Sequence, residues 1–287
     1  MKYILLLIIY FSCISCAEFN SDFDIEFLES QEGKWVNYLC SKECSGRISG
    51  TEGGEKAFDF IVKELRSMGC DYQIQEFYHY DGTLLRNIIV SIKGSSDSLI
   101  VVGAHYDGQC ESNARYHFPA ANDNVSGVVA LLHFLDNMQA KELGNSLHVC
   151  FWDGEEAVVP PAFKGSKYYL TMSSLDIKLY INCDTIGYGT DLYIKYSEYT
   201  ENEEYDLINF LGEYDSNCHL ILTDNFTSDD YSFYSSGLAT IGITDGSYSF
   251  MSPKYPIHTI YDTPNKISLS QLHKASELIY SIIDYVN

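Results

Sequence analysis

Helical and strand-like patterns of apolar residues alternate along most of this chain. Helices are predicted over 53–69, 125–140, 165–172, 201–214 and 268–285, and in the first two the apolar residues recur at three- and four-residue steps. Short apolar or alternating runs predict strands over 72–80, 86–93, 98–104, 146–152, 177–183 and 238–244. Such alternation indicates the α/β class, with a mostly parallel central sheet covered by helices on both faces in an αβα sandwich.

The N-terminus has the pattern of an export signal. Lys2 precedes a short apolar run over 3–11, and small residues follow up to Ala17. We predict a signal peptide over 1–17 and a single domain over 18–287. Cys16 closes a segment similar to a bacterial lipobox, although Cys13 replaces the usual Leu, so the mature protein is either a lipid-anchored envelope protein or a secreted or periplasmic one.

Charge and cysteine content exclude some classes of partner and site. The chain carries 18 Lys and Arg against 40 Asp and Glu, a formal net charge of −22. So acidic a surface repels phosphate backbones, which argues against nucleic-acid binding. Beyond the signal segment no Cys-x-x-Cys pair occurs, which argues against a thiolate zinc knuckle.

Polar residues of metal-binding type follow the predicted strands repeatedly. Open α/β sheets place their sites beyond the carboxyl ends of the strands. The candidates are His105, Asp107, Asp123, Glu155, Glu156, Asp184 and His258. Asp123 lies at the start of a helix, His258 follows the last strand after a loop, and the others follow a strand closely. Each residue taken alone has an ordinary structural explanation. The hypothesis of a functional site therefore rests on their shared position at the carboxyl ends of the strands.

Imidazoles and carboxylates gathered at one sheet edge require a compensating cation. This mixture suits zinc. We assign Asp123 as a bridge between two ions, His105 and Asp184 to one ion, and Glu156 and His258 to the other.

Two further acids are assigned to roles other than metal binding. Asp107 is expected to orient the His105 ring through its free nitrogen. Glu155 is expected to act as general base towards a metal-activated water. The remaining histidines are expected to be structural or surface residues, and they are His79, His117, His133, His148, His219 and His273.

Six ordered motifs resemble the co-catalytic zinc aminopeptidases, the metallopeptidase family that also contains the animal-type glutaminyl cyclases. The motifs are 47–53, Gly103-Ala104-His105-Tyr106-Asp107, 122–127, Asp153-Gly154-Glu155-Glu156, Asp184-Thr185-Ile186-Gly187 with 228–233, and 257–263. The resemblance implies a zinc-exopeptidase (phosphorylase/hydrolase-like) fold, a metallopeptidase domain over 18–287, the same ligand roles, and peptide substrates with a free N-terminus.

Departures from the family pattern leave the activity open. Asp230 stands where aminopeptidases usually have His, and residues 157–164 separate Glu156 from the following Gly-Ser pair, as a longer insertion does in cyclases. Ile257 stands where cyclases usually have Trp. We expect an aminopeptidase with two zinc ions. The alternatives are a glutaminyl cyclase with one zinc, held by Asp123, Glu156 and His258, and a non-catalytic binding module on the same fold.

Overall fold

The computed structural model describes residues 26–109, 118–138, 142–156, 162–172, 175–200, 206–246 and 257–287. The predicted signal segment, with Cys16, lies outside them. The strands are β1 Tyr72–Tyr78, β2 Leu84–Ile92, β3 Leu99–His105, β4 Ser146–Trp152, β5 Ile177–Cys183, β6 Leu192–Tyr196, β7 Cys218–Leu222 and β8 Thr240–Thr244. The α-helices are α1 Gln31–Leu39, α2 Glu52–Ser67, α3 Ser126–Asn137, α4 Lys164–Met172, α5 Leu207–Tyr214, α6 Asp230–Tyr234 and α7 Leu269–Val286.

One eight-stranded sheet has the order β1-β2-β4-β3-β5-β8-β6-β7. The four inner strands β4, β3, β5 and β8 are parallel, whereas β1, β2 and β6 pair with their inner neighbours antiparallel. β7 pairs parallel with β6 at the far edge. The predicted α/β class is confirmed, and the parallel strands are those that lead into the candidate site.

Side chains on the two faces of the sheet enter two separate cores, which makes the domain three-layered. Alternate residues of β3, including Val102, face the larger core with helices α1, α2, α3 and α7, while Val101 faces the smaller core with α4 and α6. In the smaller core the rings of Tyr180 and Phe233 stack with centroids 3.5 Å apart. Both faces are covered, as expected for buried parallel strands.

Several predicted bounds differ from the structure for local reasons. The helix predicted over 125–140 begins at Ser126, because Asp123 and Asn124 have non-helical backbone angles in the irregular turn before it. The helix predicted over 201–214 is observed from Leu207, and 201–205 lie outside the described residues. Helices α1 and α6 and the strands β6 and β7 were not predicted. Both strands are short and partly exposed, and Lys195 or His219 interrupts their apolar residues, whereas the equally short β8 is buried throughout.

Arg47 connects the loops that surround the carboxyl ends of the strands. Its guanidinium is fully buried and donates hydrogen bonds to four carbonyl oxygens, those of Leu39, Tyr106, Pro119 and Ala120. Three of these carbonyls lie in the loops after β3 and before α3. The side chain therefore holds the segments that carry Asp107 and Asp123.

Replacing Arg47 should destabilise the domain strongly. Arg47→Met leaves four carbonyls without this donor, and we expect the free energy of unfolding to fall by at least about 3 kcal/mol. Urea denaturation followed by circular dichroism measures the change. Arg66, which is exposed and bonds only Tyr72 among the described contacts, provides the control. Arg66→Met should cost less than about 0.5 kcal/mol. Equal losses in the two variants would contradict the role given to Arg47.

Candidate metal centre

Three adjacent parallel strands deliver acids and an imidazole to one edge of the sheet. His105 is the last residue of β3, Glu155 and Glu156 lie in the turn after β4, and Asp184 directly follows β5. His105 and Glu155 are buried, at 1% and 8% exposure. The strand ends thus bring together residues that are up to 79 positions apart in the sequence.

The turn before α3 adds Asp123 to this edge. Gly127 permits the close approach, because a Cβ atom there would lie 2.4 Å from the carbonyl oxygen of Cys183 at the end of β5. The side-chain amide of Asn124 donates to the same carbonyl at 2.9 Å. These contacts fix the start of α3 against the strand that leads into Asp184.

Asp123 lies between two histidines. Its Oδ1 is 3.3 Å from Nε2 of His105, and its Oδ2 is 2.7 Å from Nε2 of His258. Each histidine also faces an acid of its own: Asp184 Oδ1 is 3.6 Å from His105 Nε2, and Glu156 Oε1 is 2.9 Å from His258 Nε2. The five residues predicted as ligands therefore form two neighbouring clusters that share Asp123.

Burial and mutual repulsion perturb the acids of these clusters. Burial, with the charge of Asp123 next in importance, raises the pKa of Glu156 to about 7. Burial also raises the pKa of Glu155 well above its usual range. For Asp123 burial acts in the same direction, but the neighbouring imidazoles of His105 and His258 outweigh it and lower the pKa. Glu155 lies in the cluster with His105 and Asp184, where donor atoms are within 4.8 Å of one another.

The arrangement fits a cation of the zinc class. His105 Nε2 and Asp184 Oδ1 are buried and have no hydrogen-bond partner among the described residues, although they face each other across 3.6 Å. Buried polar atoms without a hydrogen-bond partner raise the free energy of the folded state unless an ion or ligand binds them. Imidazole nitrogen and carboxylate oxygen are donors that zinc accepts.

Asp107 makes more contacts than its predicted role requires. Nδ1 of His105 hydrogen-bonds the backbone carbonyl oxygen of Asp107 at 3.2 Å, while the carboxylate Oδ1 of Asp107 lies 3.6 Å from the same nitrogen. The two carboxylate oxygens of Asp107 also accept the backbone N–H groups of Glu155 at 3.1 Å and Glu156 at 3.0 Å. Asp107 therefore positions the Glu155–Glu156 turn as well as the histidine ring.

Asp262 is a positioning residue that the sequence reasoning missed. Its fully buried carboxylate accepts the backbone N–H groups of Asn122 at 2.8 Å and Asp123 at 3.1 Å, and the hydroxyl of Tyr188. It was noted only as part of the 257–263 motif. Its position four residues after His258 was the available signal, but the pairing with Asp123 spans 139 residues and is not visible in the sequence.

The two acids at 229 and 230 have different surroundings. Asp230 is buried and pairs with Nζ of Lys195 at 3.0 Å, so its charge is compensated inside the protein. Asp229 is fully buried, and neither of its oxygens has a hydrogen-bond partner among the described residues. Burial raises its pKa to about 7. The sequence analysis quoted this pair but gave Asp229 no role.

A small cleft of about 280 Å³ opens onto both clusters. Its apolar lining includes Ala162, Phe163 and Ile257, and Gln109 and Thr227 add polar groups. The loops predicted to set side-chain preference, 110–119, 158–163 and 247–255, lie wholly or largely outside the described residues. The cleft has room for roughly one amino-acid side chain.

Five of the described non-glycine residues have a left-handed backbone, and all lie around the clusters or the cleft. They are Arg47, Ala120, Phe163, Thr185 and His258, with φ angles between 48° and 59°. This left-handed region costs such residues free energy and is concentrated at functional sites. Thr185 is held there by a hydroxyl contact of 2.9 Å with Thr244.

The order of these motifs matches a known family profile over residues 87–283, that of Peptidase family M28. The chain belongs to Peptidase family M28. The resemblance predicted from the motifs is thereby confirmed. The match begins in β2 and ends in α7, so it includes every residue of the two clusters.

Curated M28 relatives carry both kinds of name that the motifs suggested. A probable lipoprotein aminopeptidase from Mycobacterium tuberculosis is 35% identical over 122 residues, which cover 39% of this chain and 21% of the relative. A glutaminyl-peptide cyclotransferase from Drosophila melanogaster is 28% identical over 120 residues, covering 39% and 33%. The matches span at most about half the length of the first relatives, between 21% and 49%.

Solved structures of M28-like fold match nearly the whole chain. A glutaminyl cyclase of an Acidobacteriales bacterium has a TM-score of 0.72 and 24% identity, covering 98% of this chain and 99% of that one. A zinc aminopeptidase from Bacillus subtilis has a TM-score of 0.70 and 16% identity, covering 87% and 94%. At these identities the likeness establishes the fold.

Loss of the Asp262 carboxylate should weaken metal binding without unfolding the domain. In Asp262→Asn one acceptor oxygen becomes an amide donor, so the backbone of Asn122 and Asp123 loses part of its anchor. We expect Zn²⁺ affinity to fall by about 10- to 100-fold. Isothermal titration of the metal-free protein with Zn²⁺ measures this. The matched control is Asp97→Asn, at a side chain that is 97% exposed. Unchanged affinity in Asp262→Asn would contradict the positioning role.

Proposed function

We propose that this chain is a zinc-dependent aminopeptidase that removes N-terminal residues from peptides. The observation that carries the proposal is the position of Asp123, whose two carboxylate oxygens face two different histidines. A carboxylate placed in this way can bridge two ions about 3.5–4 Å apart. Aminopeptidases are also among the named M28 relatives.

The ligand assignment follows from the two clusters. His105 and Asp184 would hold one zinc ion, Glu156 and His258 the other, and Asp123 would contact both. Zinc bound there would polarise the scissile carbonyl and lower the pKa of a water molecule. The cleft of about 280 Å³ beside the clusters suits one terminal residue, which supports an exopeptidase.

Glu155 is the proposed general base and acid. Its carboxylate lies within the His105–Asp184 cluster, beside the position proposed for the ion, so it can accept a proton from the attacking water and return it to the leaving amine. Asp107 holds the turn that carries Glu155 through the backbone N–H at 3.1 Å. The chain thus fixes the base relative to His105 at the end of β3 and Asp184 after β5.

A glutaminyl cyclase is the second candidate. It is favoured by the match to the Acidobacteriales cyclase along almost the full length of both chains, and by the segment that separates Glu156 from Gly165. In this function Asp123, Glu156 and His258 would hold a single zinc ion. His105 and Asp184 would then act without metal.

We also propose that the protein acts outside the cytoplasm. The N-terminal signal pattern supports this, as does the word lipoprotein in the name of the Mycobacterium tuberculosis relative. Among the described parts of the chain, none of the helices combines the length and apolar character needed to cross a membrane. The lipobox-like segment around Cys16 supports attachment through a lipid on that residue.

Glu155→Gln should abolish turnover and leave metal bound. The amide cannot accept the proton, and we expect hydrolysis of a leucyl anilide to fall by about 10²- to 10⁴-fold. Zinc content, measured by plasma mass spectrometry, should stay at the wild-type value. Glu43→Gln, at an exposed position, is the matched control. Activity within tenfold of wild type would refute the role of base, and a loss of zinc would make Glu155 a ligand.

His105→Ala separates the two candidate functions. If the chain is a two-zinc aminopeptidase, the variant should bind one zinc fewer than wild type and lose leucyl anilide hydrolysis. If it is a one-zinc cyclase, zinc content should not change, and wild type should cyclise an N-terminal glutaminyl peptide without hydrolysing the anilide. His219→Ala, at an exposed histidine of β7, controls for the loss of an imidazole. If the wild-type protein catalyses neither reaction, the non-catalytic binding module becomes the favoured function.

A further inference from the structure

A third group of metal-binding side chains lies where helices α1, α3 and α7 meet. Glu32 comes from α1, His133 from α3 and His273 from α7. His133 lies seven residues after the first residue of α3, or about 10 Å along the helix from the turn that carries Asp123. The group is therefore separate from the candidate metal centre. Neither histidine was expected to have more than a structural or surface role.

The two imidazoles converge on one carboxylate oxygen. Oε1 of Glu32 is 2.6 Å from Nδ1 of His133 and 3.2 Å from Nε2 of His273. The rings stack with centroids 4.3 Å apart and planes 21° apart. One donor atom from each residue lies within 4.8 Å of the others, as in the Asp123–Glu156–His258 cluster. There the corresponding contacts of His258 are 2.7 and 2.9 Å.

Within the group the carboxylate is buried and the two imidazoles are partly exposed to solvent, so an ion from solvent can reach all three side chains. Glu32 is only 8% exposed, whereas the side chains of His133 and His273 are 18% and 37% exposed. His133 also lines an open cleft of about 510 Å³ together with Asn137 and Tyr280. A carboxylate such as that of Glu32 is ionised at neutral pH. An ion can reach the group from solvent and meets a formal negative charge there.

We propose that Glu32, His133 and His273 bind a divalent transition-metal ion of the zinc class. Two imidazoles and one carboxylate are a donor set that zinc accepts, and three protein ligands leave one position for water from the cleft. Imidazole donors select against Ca²⁺ and Mg²⁺, which prefer oxygen.

The site would link distant parts of the chain. Glu32 is 101 residues from His133 and 241 from His273, so an ion shared by all three closes two long loops. It would hold α1 against α3 and α7. Since the ligands bind only in the folded state, the ion should stabilise the fold.

Zinc titration of the full mature protein tests the site. Wild-type protein stripped of metal should bind one more Zn²⁺ than His133→Gln, whatever the number of ions at the candidate metal centre. His219→Gln, which removes an exposed imidazole from β7, should bind as many ions as wild type. Equal stoichiometry and affinity in wild type and His133→Gln would overturn the proposal. The result does not depend on catalysis, so it stands apart from the test of the proposed function.

A second measurement uses the wild-type protein and does not depend on a variant folding. Diethyl pyrocarbonate modifies accessible imidazoles, and peptide mass spectrometry locates the modified residues. Zn²⁺ should slow modification of His133 and His273 at least tenfold, while His219 reacts at the same rate with and without the ion. Modification of His133 and His273 at unchanged rates in saturating Zn²⁺ would refute the site.

Discussion

The concentration of negative charge at one edge of the sheet is the constraint on which the rest of this domain depends. Five carboxylates, those of Asp107, Asp123, Glu155, Glu156 and Asp184, surround the imidazoles of His105 and His258 in the described part of the chain. In water such groups would repel one another weakly, but burial strengthens the repulsion and removes hydration. A bound cation is the simplest source of compensation, and the surrounding structure keeps the donors in place to meet it.

Backbone groups, more than side-chain packing, hold the donors in position. Asp107 accepts the N–H groups of the Glu155–Glu156 turn, and Asp262 accepts those of Asn122 and Asp123. Arg47 donates to the carbonyl oxygens of Pro119 and Ala120, directly before the turn that carries Asp123. Each contact satisfies a polar group that burial would otherwise leave unpaired, so folding and ligand orientation are achieved by the same hydrogen bonds.

The sequence predicts the candidate ligands better than it predicts the residues that hold those ligands in position. His105, Glu155 and Asp184 could be found because buried strands end immediately before them, and parallel strands end at one edge. The contacts of Asp262 and Arg47 could not be found, since they join segments 139 and 73 residues apart with no local pattern. The same limit applies to His133. The helix that carries it could be predicted, but the packing of that helix against two other helices could not. The predicted sheet also lacked β6 and β7, because Lys195 and His219 interrupt their apolar residues and both strands are partly exposed, unlike the fully buried β8.

The two halves of the candidate metal centre are unequal, and this bears on the number of ions. His258 makes contacts of 2.7 and 2.9 Å with Asp123 and Glu156, so its half is satisfied by its own side chains. In the other half, Nε2 of His105 is 3.3 Å from Asp123 and 3.6 Å from Asp184, and Asp184 Oδ1 is buried with no hydrogen bond to any described residue. Leaving such atoms unpaired costs about 1–3 kcal/mol each. A second ion bound by His105 and Asp184 would remove that cost, which is the physical reason for preferring a two-metal centre to a single zinc at Asp123, Glu156 and His258.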